Sequence, residues 1–276
     1  MQVTTPGGSV TLSHEPHRIV CLSPTATEML FAIGAGPQVV AVDSYSNHPS
    51  SAPRTKLSAY SPNVEAIASY NPDLVVAQDD TGGLARSLRS LGIPFVTFPP
   101  ASDLGGTYSQ ISELGRITDQ PSGAAAVIGR MRSEIAKIVA SVPKPSSPLS
   151  VYVELDPTYY SATSATFLGQ VFSMFGVSNI ADAAGLHKNS GFPQLSAEYV
   201  VSSDPRLIVL ADTVCCHQSP QTVAARPGWG TIQAVERGLV FNVNDSLASR
   251  WGPRIVGLVR TVAGEVIRAE RSYESG

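Results

Sequence analysis

The sequence predicts an α/β fold of two Rossmann-like lobes of parallel sheet with helices, bridged by one long α-helix. Three observations predict it. A sixteen-residue pattern occurs twice, strand-like runs alternate with helix-like ones around each copy, and one long amphipathic stretch lies between the halves.

The repeat comes first. Residues 64–79 read VEAIASYNPDLVVAQD and residues 197–212 read AEYVVSSDPRLIVLAD. Glu65 and Glu198 each stand seven residues before a proline, Pro72 and Pro205, and Asp79 and Asp212 close the copies, all at an offset of 133 residues. Each copy reads as a short helix, a turn and a buried parallel strand, over 74–77 and 207–211. The proline ends the helix because it lacks an N–H and pushes the preceding residue toward extended geometry.

The pattern extends outward on both sides. Residues 18–22 read as a strand, followed by a helix from about Pro24 to Ile33 that Gly34 stops. After the central strand, 84–91 is helical and Gly92 opens a strand over 93–98. The second half repeats this order: a strand over 151–155, a helix over 166–175 stopped by Gly176, a helix over 231–237, and a strand over 239–243 opened by Gly238. Alternation of this kind implies parallel sheets in layered α/β lobes.

Between the halves, Asp119 can cap a helix and Pro121 suits its first turn. Val127, Ile128, Met131, Ile135, Ile138, Val139 and Val142 then recur at helical spacing. About 22 residues give ~33 Å at ~1.5 Å per residue, and PKPSSP (143–148) ends the helix. The expected organisation is therefore an N-terminal lobe over 1–118, a bridging helix over 119–143 and a C-terminal lobe over 144–276. A single rigid connector predicts limited hinge motion.

Composition narrows the function. Charged residues make up 15% of the chain and the net charge is -3, which leaves no basic face for nucleic acid or for a membrane surface. No run of 18 apolar residues could span a bilayer. The polar start MQVTTPGGSV reads as no signal peptide, so an exported protein is expected here as its mature form, without its leader. Cys21 lies in an apolar strand and reads as a small buried hydrophobe. Cys215 and Cys216 are adjacent and could form a strained disulfide or bind metal beside His217; the sequence leaves both open.

Ligands of open parallel sheets sit outside the carboxyl ends of the strands. Two facing lobes would place the loops 23–27, 44–49, 78–83, 156–161 and 212–217 around one crevice, with 244–251 closing its rim. These loops carry Tyr45, His48, Tyr159, Tyr160 and Trp251, and Tyr60 and Phe192 stand just before the repeated Glu helices. Any one of these rings could be ordinary packing. Together they suit a large, partly apolar ligand held by a few polar anchors.

The segments RIVCLSPTATEMLFAIGA, VVAVDSYSNHP, the Glu65–Pro72 unit and RPGWGTIQAVERGLVFNV, in this order and spacing, resemble the helical-backbone (class III) substrate-binding proteins of ABC importers for ferric siderophores, haem and cobalamin. The similarity runs from about Arg18 to Val266. It implies a monomer outside the cytoplasm, lipid-anchored in its full-length form. It also implies that Glu65 and Glu198, one per lobe, dock against arginines of a permease dimer. Compared with the family's cobalamin receptors, His48 falls where a cleft tyrosine is usual, Tyr60 and Phe192 where flanking tryptophans clamp the corrin, and Gln78 replaces another tryptophan. The loss of the indoles points to an iron chelate, a ferric siderophore or haem, with cobalamin as the alternative. His48, Tyr45 and Tyr159 or Tyr160 could reach an iron centre, and Arg250 could pair with an anionic ligand group.

Other classes fit less well. No phosphate loop, HExxH or CxxC motif marks an enzyme, and three cysteines do not supply the cluster ligands of nitrogenase-like reductases. His14 and His17 in HEPH have no acidic cluster nearby. A receptor for bare zinc or manganese would need His48, His187 and His217 to converge with carboxylates, and His187 in GLHKNSG reads as an exposed loop residue. No resident cofactor is expected; the metal chelate is cargo.

Overall fold

The computed structural model describes residues 2–5, 8–145, 147–184 and 191–275. His187 lies outside the described residues. The chain divides into two compact units. Unit 1 holds the chain up to Arg132 together with Trp251–Pro253, and unit 2 holds Ser133–Arg250 and the chain from Arg254 onward.

Unit 1 opens with an antiparallel hairpin, β1 (Gln2–Thr5) and β2 (Gly8–Thr11), in which Val3 pairs with Val10. Then follow β3 (Ile19–Leu22), α1 (Pro24–Ala32), β4 (Val39–Val42), α2 (Val64–Ala68), β5 (Leu74–Ala77), α3 (Leu84–Ser90), β6 (Phe95–Thr97) and α4 (Leu104–Ile117). The four strands β3 to β6 form a wholly parallel sheet in the order β4-β3-β5-β6. Every residue of β3 and β5 is buried, as expected of strands covered on both faces. Ser23 caps α1 by accepting from the Ala26 amide, with Pro24 in the first turn. Gly34 follows the helix at φ +97, a left-handed position that favours glycine.

The chain then enters α5 (Pro121–Ser141), 21 residues long. Ala124, Val127, Met131 and Ile135 form its buried stripe. Asp119 does not cap it. That residue is left-handed at φ +53 after α4, and the Gln120 carbonyl accepts the first helical bond, from Ala124, at 3.0 Å.

Unit 2 repeats the plan with β7 (Ser150–Glu154), α6 (Phe167–Ser173), β8 (Ser178–Asn179), α7 (Ala197–Ser203), β9 (Leu207–Leu210), α8 (Pro220–Ala224), α9 (Gln233–Glu236), β10 (Val240–Asn242), α10 (Asp245–Ala248) and α11 (Ile255–Glu274). Its sheet runs β10-β9-β7-β8, all parallel. Counted within each unit, both sheets have the strand order 2-1-3-4. The chain leaves strand 1 toward one side and then returns to the other, which makes a topological switch point between strands 1 and 3. Register gives the equivalences: Leu22 pairs with Ala77 in unit 1, and Glu154 pairs with Leu210 in unit 2. An apolar residue in the first unit thus has a glutamate as its counterpart in the second.

Among the described residues no helix is long and apolar enough to cross a membrane.

Candidate functional site

In unit 1 the switch point is open. Leu22 and Ala77, the last residues of β3 and β5, floor a pocket walled by Tyr45, Tyr60, Gln78, Asp43 and Asp79. Local hydrogen bonds set its walls. The buried Asp43 accepts from the Ser46 amide at 2.8 Å, the Thr27 hydroxyl donates to Ser46 Oγ, and the Ser44 amide donates to the Leu57 carbonyl. These bonds fix the loop after β4 and bring Tyr45 edge-on to Tyr60, with ring centroids 5.6 Å apart at 87°. Both rings stay open to solvent, Tyr45 by 57% and Tyr60 by 78%. Exposed aromatic faces beside a pocket offer a surface on which an apolar ligand can stack. Gln78 donates to Asp79 Oδ2 at 3.1 Å. His48 is exposed on the same loop as Tyr45 but does not line the pocket. The lining residues include two aspartates and no lysine or arginine.

Trp251 does not present its indole to a rim. It is buried within unit 1, and its Nε1 donates to Gln110 Oε1 of α4 at 2.9 Å. Arg250 is buried as well.

In unit 2 the carboxyl-end loops carry Tyr159, Tyr160 and Phe192. Residues 159–163 run alongside 191–195, with Ser161 donating to the Pro193 carbonyl and Leu195 to the Tyr159 carbonyl. Tyr160 and Phe192 project from this paired segment, 39% and 44% exposed. Tyr159 has the left-handed φ of +69 and stacks on Trp229 at 5.9 Å. The sequence reading missed what lies beneath it. Glu154 is wholly buried and takes two hydrogen bonds of 2.6 Å from the Arg226 guanidinium, which donates also to Gln218 and lies 4.6 Å from the Trp229 ring centroid. Burial alone would push Arg226 down; the hydrogen bonds and charge of Glu154 outweigh it and hold the guanidinium above its ordinary value. Burial, and then the Glu154 charge, push Asp212 up to about 7. The available signals were Glu154 closing an otherwise apolar strand, and Arg226 and Trp229 within the quoted RPGWG segment.

Cys215 and Cys216 are free thiols beside this cluster, and burial followed by a hydrogen bond with Cys216 pushes Cys215 up to about 12. Among the described residues no three His, Cys, Asp or Glu side chains converge to hold a metal ion. Glu65 and Glu198 are exposed in the first turns of α2 and α7, capped by Asn63 and Ser196. Hydrogen bonds from its own backbone amide and from Ser196 hold Glu198 below the usual carboxylate value.

Residues 19–247 match the family model described as periplasmic binding protein. The chain belongs to that family. A cobalamin-binding protein of Halobacterium salinarum is 33% identical to this periplasmic binding protein over 270 residues, covering 92% of this chain and 71% of the relative. An uncharacterised ABC transporter substrate-binding lipoprotein of Bacillus subtilis, YvrC, is 28% identical over 266 residues, covering 93% and 82%. Among solved structures, a possible iron-binding periplasmic solute-binding protein of Staphylococcus epidermidis aligns with a TM-score of 0.81 at 24% identity, covering 92% of this chain and 99% of the other. That likeness carries the two-sheet fold. Membership makes this a solute-binding component of an ABC importer and not an enzyme, with a small-molecule ligand, a membrane permease as partner and a location outside the cytoplasm.

Proposed function

We propose that this periplasmic binding protein captures a corrinoid of the cobalamin class and delivers it to its permease. The carrying observation is the pocket at the unit 1 switch point, where the exposed Tyr45 and Tyr60 rings meet Gln78 and two aspartates with no cation among the lining residues. A corrin is a broad, flat ring fringed with carboxamides. Aromatic faces cover its apolar surface, and Gln78 and Asp79 can accept from its amide N–H groups. Ferric siderophores that bind as anions, and haem with its two propionates, would bring negative charge against those aspartates. Residue types alone, with the indoles gone, favoured an iron chelate; the charge of the pocket favours the corrinoid. The 33% identity to a cobalamin-binding protein supports the same choice.

Haem or a ferric chelate is the second reading. His48 and Tyr45 stand exposed on one loop, and imidazole and phenolate both bind iron. The reading extends to Glu65 and Glu198 as permease contacts, to a monomeric receptor and to a lipid anchor in the full-length protein. Equilibrium dialysis against cyanocobalamin, haemin and a ferric hydroxamate tests it. Retention of cyanocobalamin above the other two supports the corrinoid, and retention of haemin alone replaces it with the iron reading.

A further inference from the structure

The two switch points are built differently. In unit 1 Leu22 and Ala77 leave a pocket. In unit 2 the equivalent of Leu22 is Glu154, and Asp212, equivalent to the exposed Asp79, is wholly buried. Arg226 directs its two terminal nitrogens to the two oxygens of Glu154. Neither carboxylate oxygen of Asp212 meets a donor in hydrogen-bonding geometry, nor does the buried Tyr152 hydroxyl. Glu154 and Asp212 are close enough to repel each other, and two buried carboxylates cannot both stay ionised against one guanidinium without large cost.

We propose that Asp212 holds a proton at the carboxyl end of β9, beside the Glu154–Arg226 pair, and that this proton keeps Arg226 clamped between Glu154 and the rings of Tyr159 and Trp229. Loss of the proton to solvent leaves two carboxylates facing one guanidinium. Arg226 is then drawn toward Asp212, and its hold on Tyr159, which is kept at a positive φ, loosens.

The surroundings favour the protonated form near neutrality. Beside Asp212 on β7 are Glu154 and Tyr152, whose phenol is pushed up by burial and then by the Glu154 charge. Arg226 approaches from the segment after α8 and Tyr159 from the loop after β7. On the loop of Asp212 itself, Cys215 remains a thiol. Asp245 of α10 accepts from Thr213, Val214 and Cys215 and adds negative charge. Cys216 and His217 are the remaining ionisable side chains of that loop, the thiol half-buried and the imidazole exposed. Burial and the neighbouring Glu154 charge place the Asp212 transition at about pH 7. The proton belongs to unit 2 alone and does not depend on which ligand binds.

The test therefore uses the intact protein with no ligand. Aspartate side-chain carboxyls are followed by 13C NMR from pH 5 to 9 in the wild type and in Asp212→Asn. Trp229 emission is followed over the same range in a Trp251→Phe background. The expected result is one aspartate carboxyl with a midpoint near 7 that Asp212→Asn removes, and an emission shift with the same midpoint that survives His217→Gln and disappears in Asp212→Asn. An emission shift that persists in Asp212→Asn overturns the proposal. Should that variant not fold, the wild-type titration decides alone, and aspartates that all titrate below about 5 overturn it. Neither outcome bears on whether a corrinoid binds.

Discussion

Arg226 and Glu154 meet through two parallel N–H···O bonds of 2.6 Å, with the glutamate side chain wholly buried and the arginine 14% exposed. Paired this way, a guanidinium and a carboxylate satisfy each other's geometry, and the flat cation also lies near the faces of Trp229 and Tyr159. The pair ties β7, the segment after α8 and the loop carrying Tyr159 into one polar core. At the unit 1 switch point Leu22 stands in place of the glutamate.

Arg226→Ala leaves Glu154 buried without its partner. The expected cost is about 3–5 kcal/mol of stability, because an uncompensated buried charge is far worse than a missing surface ion pair. Urea unfolding measures it, and a loss under about 1 kcal/mol would mean the pair is a surface feature.

The raised Asp212 carboxyl makes stability depend on pH. In the unfolded chain this group loses its proton near 4, whereas in the folded protein it keeps the proton up to about 7. Over that window the folded state binds more protons, so the Asp212 contribution to stability falls as pH rises from about 4 to about 7 and stays flat above. Asp212→Asn has no proton to lose and should gain on the wild type across this window. Urea midpoints at pH 4.5 and 8 check it; wild-type and variant profiles that run parallel would count against the assignment.

Trp251 is a packing residue in unit 1. Trp251→Phe removes the bond to Gln110 and should cost about 1–2 kcal/mol, with ligand affinity unchanged. A thermal melt and a ligand titration on the same variant separate these effects.

Glu65 and Glu198 lie one on each unit, at the start of equivalent helices. Reversing both charges to arginine should abolish uptake in cells while leaving ligand affinity as it was. Full uptake by the double variant would remove the docking role.

Much of this architecture was legible in the residues, because it follows from local rules. The 133-residue offset corresponds to two sheets with the same strand order, and Gly34 and Gly176 both stand at positive φ behind their helices. The apolar spacing of Val127, Met131 and Ile135 marked the buried face of α5. The rest depends on long-range register. The Gln2–Thr5 and Gly8–Thr11 pairing shows no apolar alternation strong enough to announce a strand, and Asp119 looked like a cap when Gln120 holds that place. Trp251 looked like a rim aromatic because its distance from Gln110 spans 141 residues of chain. Glu154 sits inside the expected strand over 151–155 with no local pattern to mark it. Only the pairing of β7 with β9 brings it beside Asp212.

The corrinoid claim is tested most directly by calorimetric titration of cyanocobalamin into the wild type and into Tyr45→Ala and Tyr60→Ala. Both side chains are exposed, so the variants should fold normally. Each should raise Kd roughly 5- to 30-fold, about 1–2 kcal/mol. No heat of binding in the wild type, or an unchanged Kd in both variants, would contradict the account.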